Sequence, residues 1–230
     1  MSSSLPLRTR RSWLLLALVA CLGACTSIPI PETSTPVQGP IAGPPAANPA
    51  TPGAPARADK PRDVSLLDPQ GRSVRPALAP AGGVAVIVFI TSDCPIANSY
   101  APTLSWLHMR YRGRPVSLAL VHTDPQVTAQ LAATHAEEYG IAATVLLDPR
   151  HRLVASLDAR VTPEAFVLNE RGEVLYRGRI DDRVTGLGDR RQEASRHDLR
   201  DAIDAALAGR PIAEPQTRAW GCIITRINQP

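Results

Sequence analysis

Cysteine is scarce in this 230-residue chain: there are four, Cys21, Cys25, Cys94 and Cys222. That number excludes a small domain stapled by disulfides, and it leaves one pair or two separate thiols beyond the first 25 residues. Long apolar runs are also missing. The N-terminal run at 12–20 (SWLLLALVA) is about half of the ~20 residues that a spanning helix needs. No stretch gathers basic residues on one face. The formal charge of +4 therefore leaves no nucleic-acid footprint, and no nucleic-acid partner is expected. Arg8, Arg10 and Arg11 precede the apolar run, and without them the balance is close to neutral. The other arginines are scattered among acids, as on a solvated surface. No internal repeat is present, and no cofactor is expected.

The first 25 residues have three parts: a positive segment, a short apolar core, and Leu22-Gly23-Ala24 ahead of Cys25. This is the layout of an export signal and not of a membrane span. The segment LGAC resembles a bacterial lipobox, in which the cysteine becomes the first mature residue and carries the lipids. The resemblance implies lipidation at Cys25, with Cys21 (LVAC) as the alternative. The protein would then be anchored to the bacterial envelope and face the periplasm. Thr26 stands where an inner-membrane retention signal has Asp, which favours the outer membrane.

Residues 26–61 are rich in proline, with Pro29, Pro31, Pro36, Pro40, Pro44, Pro45, Pro49, Pro52, Pro55 and Pro61 among small residues. Such a segment has too little apolar surface to offset its ordering entropy, and it is expected to be an extended tether. From 62 to 211 the pattern alternates strands and helices. A hairpin is expected at 64–67 and 73–74 around DPQGR, and VAVIVFIT at 84–91 reads as a strand buried on both faces. A helix follows over 95–112, with a strand at 116–121, a helix at 127–139, a strand at 143–147 and a helix at 151–157. A hairpin at 165–168 and 174–177 turns around NERG. A last helix, 195–208, has Ser195 and Asp198 spaced as a capping box, with Gly209 ending it. The fold class is α/β, a central mixed sheet with helices on both faces. Residues 212–230 form a tail carrying Cys222.

The run T91-S92-D93-C94-P95 enters the 95–112 helix, Pro102 falls inside it, and V161-T162-P163 precedes EAFVL and the NERG hairpin. Order and spacing together resemble the thioredoxin-like superfamily, in its extracytoplasmic redoxin (AhpC/TSA-like) branch. The resemblance covers about 62–185. It implies a thioredoxin-like fold, a reactive cysteine at Cys94, and a cis-proline at Pro163 facing it. Thr162 would then offer backbone hydrogen bonds to an incoming peptide, so Pro95, Thr162 and Pro163 become candidate substrate-binding residues. The chain departs from the dithiol families, because C94-P95-I96-A97 lacks the second cysteine of CxxC. Ile87 replaces the peroxiredoxin proline. Asn98 removes the CxxxC pair of copper-delivering relatives.

A thiol reacts as thiolate, and a helix N-terminus favours that form. Asp93 is expected to oppose it. Thr91 is positioned to donate a hydrogen bond to the sulfur or to a substrate. Three readings share these residues. In the first, Cys94 is the nucleophile of a thiol-disulfide oxidoreductase acting on envelope protein thiols or disulfides, and Cys222 resolves the mixed disulfide. In the second, Cys94, Cys222 and His122 hold a soft ion such as Cu(I). In the third, the fold is a binding module without chemistry. His122 ends the 116–121 strand, where an exposed position is expected. The RGRIDDR stretch at 177–183 is expected to be an ion-paired turn.

Overall fold

The computed structural model describes residues 59–186 and 188–227. The expected signal with Cys21 and Cys25, and nearly all of the expected linker, lie outside the described residues. At the start of the described residues the Asp59 carboxylate accepts from Arg152 Nη2 (2.7 Å) and its carbonyl accepts from Ser156 Oγ (2.6 Å).

Elements follow in the order β1 (Leu66–Leu67), β2 (Ser73–Val74), β3 (Val84–Ile90), α1 (Pro95–Ser99), α2 (Ala101–Arg110), β4 (Val116–His122), α3 (Ala129–Glu138) and β5 (Thr144–Leu147). Then come α4 (Arg152–Leu157), β6 (Val161–Thr162), β7 (Glu164–Leu168), β8 (Val174–Gly178), β9 (Val184–Gly186), β10 (Asp189–Arg190), α5 (Asp198–Leu207) and β11 (Cys222–Ile223). Seven strands make one mixed sheet in the order β2-β1-β5-β4-β3-β7-β8. β3, β4 and β5 run parallel, and β7 and β8 are antiparallel to their neighbours. This is a thioredoxin-like fold. Among the described residues no helix is long and apolar enough to cross a membrane.

The two-sided burial expected of β3 follows from its period of two. Val84, Val86, Val88 and Ile90 enter one core with Leu104, Leu107, Leu199 and Ile203 of α2 and α5. Ala85, Ile87 and Phe89 enter the other core with Leu153, Val154 and Leu157 of α4. Phe89 meets Phe166 of β7 edge to face at 5.7 Å, a contact of about 1 kcal/mol beyond area burial.

Three expectations change. The single 95–112 helix is two helices broken at Tyr100, because Pro102 has no N–H to give to Asn98 O four residues back; the Tyr100 N–H closes the end of α1 on Ala97 O at 3.0 Å. The break is fixed by Tyr100 Oη donating to Asp181 Oδ1 (2.6 Å) and by the Arg183 guanidinium lying 4.5 Å from the Tyr100 ring centroid. The last helix starts at Asp198 without a side-chain cap. No capping box forms, since Ser195 turns to Asp182 and Asp198 pairs with Arg179 at 2.8 Å and Arg196 at 3.2 Å. Those pairs make 177–183 the ion-paired turn the sequence suggested, joined by Arg177–Glu164 and Arg183–Asp181. Gly209, at φ +63°, ends α5 as expected.

The tail 212–227 is stitched along the domain. Arg177 N–H donates to Pro215 O and Thr217 N–H to Arg177 O, both at 3.0 Å. Farther on, Ile224 N–H donates to Arg160 O (2.9 Å), and Arg226 reaches Asp158 at 2.6 Å. Between these ties β11 pairs antiparallel with β6.

Candidate active site

Where β3 ends, the chain turns through Thr91, Ser92 and Asp93 into α1, with Cys94 as its N-cap. Pro95 suits the next position, since the first helical N–H groups have no helical acceptor. The Cys94 sulfur accepts from Ala97 N–H at 3.4 Å, and Cys94 is fully buried. Across from it, the Thr162–Pro163 peptide bond is cis, as VTP ahead of EAFVL predicts. In the thiol form Cys94 donates to Thr162 O at 3.0 Å. Thr91 Oγ1 lies 3.3 Å from Thr162 Oγ1, so its partner is that hydroxyl and not the sulfur.

Cys222 completes the arrangement. Its main chain is in register with Thr162 in the β6–β11 pair, which brings its thiol and its N–H to the side of the Cys94 sulfur, where both favour the thiolate. Both cysteines are free thiols. Burial alone would raise the Cys94 pKa. The Cys222 thiol, the Ala97 N–H, the Thr162 hydroxyl and the Cys222 N–H outweigh it, and the pKa is lowered. Cys222 moves the opposite way, pushed up to about 12 by burial, then by its hydrogen bond to Cys94 and the charge there, and by Asp93. The pair therefore ionises once, with the charge on Cys94 and the proton on Cys222. The negative charge of Asp93 adds to the rise at Cys222. A cleft of about 450 Å³ lined by Ser92, Asp93, Pro95, Asn98, Ser99 and Tyr139 opens beside this turn.

His122 corrects its expectation. It is fully buried, not solvent-exposed, and neither ring nitrogen has a hydrogen-bond partner. Its ring meets His135 edge to face, with centroids 5.1 Å apart. Burial and the neighbouring His135 push its pKa down to about 4. His135 Nε2 lies 2.9 Å from Asn98 Oδ1, while Asn98 Nδ2 donates to Ser92 O at 2.8 Å. With the amide oriented by that donation, His135 Nε2 carries the hydrogen. Cys94, Cys222 and His122 do not form a ligand set: among the described residues no group of three or more His, Cys, Asp or Glu side chains is placed to hold a metal ion.

Sequence reasoning missed two features. One is the β6–β11 pairing, since two-residue strands give no periodicity. The other is the Asn98–His135–His122 chain, which joins α1, α3 and β4.

Comparison with known proteins gives a family and a fold. The chain matches the AhpC/TSA family over residues 58–177. No curated protein matches it. Among solved structures it is similar to a hypothetical protein from Sinorhizobium meliloti at 22% identity and TM-score 0.63, covering 75% of this chain and 95% of that one. An uncharacterized conserved protein from Geobacillus kaustophilus gives 24% identity and TM-score 0.63, over 75% and 93% of the two chains. A putative thiol:disulfide interchange protein from Chlorobium tepidum gives 20% identity and TM-score 0.51, over 65% and 96%. The family match ends before the tail that carries Cys222.

Proposed function

Because the chain belongs to the AhpC/TSA family, we propose that it is a thiol-disulfide oxidoreductase with Cys94 as nucleophile and Cys222 as resolving thiol, anchored to the bacterial envelope through a lipid on Cys25. The observation that carries this reading is the β6–β11 register, which sets Cys222 against Thr162, whose carbonyl oxygen is 3.0 Å from the Cys94 sulfur, across a separation of 222 − 94 = 128 residues. The Cys94 thiolate attacks one sulfur of a disulfide on an envelope protein, and the other sulfur leaves as thiolate. Cys222 gives up its proton to that leaving group and attacks the Cys94 sulfur, releasing the second substrate thiol. One substrate disulfide is reduced, and one Cys94–Cys222 disulfide is formed. Run in reverse, the same steps oxidise a substrate dithiol; the two reduction potentials set the direction. Thr162, Pro163 and Pro95 line the approach, and Thr91 steadies Thr162.

Equilibrating the protein in glutathione buffers of graded ratio tests the pair. Both thiols are expected to disappear together with a mass loss of two hydrogens, and the midpoint gives the potential. A persistent glutathione adduct on Cys94 with Cys222 still free would overturn the intramolecular mechanism. Mass spectrometry of the mature N-terminus tests the anchor. A lipidated Cys25 is expected, and a soluble product cut elsewhere would remove the envelope placement.

A further inference from the structure

Taking the Thr162 edge as the peptide edge that the resemblance implies, we propose that it selects extended segments with glycine directly before the reacting cysteine, and that this chain's own tail competes with them for it. The proposal rests on the redox reading of Cys94 and adds the class of chain that reaches it.

β6 and β11 make a sheet of two strands only, so the tail adds to β6 as a peptide adds to an exposed strand edge. The register sets Cys222 against Thr162 and Ile223 against Val161. This is what carries a sulfur to Cys94, because Thr162 O is already 3.0 Å from the Cys94 sulfur. Any other chain delivering a sulfur along the same line needs the same edge.

The tail also shows what the edge demands of its occupant. A Cβ on Gly221 would stand 2.0 Å from Thr162 O, 2.6 Å from Thr162 C and 3.1 Å from Pro163 N. These are backbone atoms of the turn that faces the thiol, and they cannot swing aside as a side chain does. Glycine is needed for close approach. After the cysteine the demands alternate, as they must along a strand. Ile223 is 82% exposed and Ile224 is 7% exposed, packed in the second core. Before the glycine, half-buried Trp220 packs against the first core under Arg218. The groove thus reads aromatic-Gly-Cys-any-aliphatic in an extended chain.

With the tail seated Cys94 is wholly covered. A substrate segment therefore takes the edge by displacing the tail, its disulfide sulfur standing where Cys222 stood. The tail's return expels the segment and delivers Cys222 to the mixed disulfide, as in the steps above. A tethered strand competes at an effective concentration of about millimolar, so weakly bound segments are turned away.

The test uses the full chain carrying Cys222→Ser and follows alkylation of Cys94 by iodoacetamide. Adding Gly221→Ala is expected to raise the rate at least about tenfold, through loss of the tethered competitor. The synthetic peptide TRAWGSIITR is then expected to restore protection, and TRAWASIITR is not. Trp220→Ala, which leaves the Thr162 edge untouched, is expected to give a smaller rise and keeps the test usable if Gly221→Ala does not fold. An unchanged rate in both variants, or equal protection by the two peptides, would overturn the proposal. None of these readouts involves a disulfide. Wild-type protein that never joins Cys94 to Cys222 while the alkylation pattern holds would remove the redox reading alone.

Discussion

Cys94 and His122 lie near the carboxyl ends of adjacent parallel strands, and both are completely buried. Their chemistry diverges because of what reaches them. Around Cys94 the Cys222 thiol, two N–H groups and the Thr162 hydroxyl overcome burial and favour the thiolate. Around His122 no donor or acceptor reaches either nitrogen, so burial dominates, His135 adds to it, and the charge of Asp124 opposes it only in part. Burial by itself drives an ionisable group neutral, and reactivity requires a ring of partners that can solvate the charge. One position is built for ionisation, and its neighbour is built against it.

Removing the charged member of that comparison has the largest effect. Cys94→Ser is expected to reduce disulfide exchange to background and to abolish the Cys94–Cys222 bond, measured by thiol count and by turnover of a protein disulfide. Loss of turnover without loss of fold, checked by circular dichroism, confirms a chemical role.

The next effect breaks the comparison from the histidine side. The folded pKa of His122, about 4, lies below its ordinary value of 6.5. Between these values the unfolded chain binds a proton that the native protein refuses. Stability therefore falls as pH drops from 6.5 to about 4 and levels off below, by about 3 kcal/mol in all. His122→Leu is expected to flatten that part of the profile, leaving stability at pH 7 equal or higher because two unpaired nitrogens are gone. Urea unfolding of both proteins at pH 7 and pH 4.5 measures it. An unchanged acid slope would show that His122 is not its source.

Cys222→Ala makes Cys94 resemble His122 by taking away its leading partner. The Cys94 pKa is expected to rise, moving the midpoint of the alkylation-against-pH curve upward, whereas the Cys222→Ser hydroxyl is expected to restore part of the shift. A midpoint that stays in place would assign the stabilisation to Ala97 and Thr162. The smallest change is Asp93→Asn. It lowers the Cys222 pKa by removing a nearby negative charge and is expected to speed resolution of a mixed disulfide about twofold. Stopped-flow release of the substrate thiol resolves it.

Much of this was legible in the chain, and the reasons are local. VAVIVFI could hardly be anything but a strand between two cores, and Cys94-Pro95 after it marked a strand-to-helix turn. Thr162-Pro163 before EAFVL placed the facing turn through the family resemblance. Other features were not legible. Pro102 announced a kink in the helix, but what holds the break at Tyr100 is Asp181 and Arg183, about 80 residues onward. Ser195 and Asp198 had the spacing of a capping box, yet Asp182 and Arg179 claimed them. His122 looked like an exposed strand end because nothing near it in sequence shows that α3 lays His135 over it.

Gly221 makes the division clear. Its place beside a cysteine suggested backbone freedom, a property of one residue. The fold assigns it a different task, fitting against the Thr162–Pro163 peptide some 60 residues earlier. The sequence determined the elements and the thiol at a helix start, because these follow from periodicity, missing N–H groups and nearest neighbours; the proline that faces the thiol was implied by the family resemblance. Only the tertiary structure decided that Cys222 meets Cys94, that Thr162 offers its edge to the tail, and that Cys94 and His122 ionise in opposite senses. Each of those depends on which atoms from distant segments come within a few ångströms, and no local pattern encodes that.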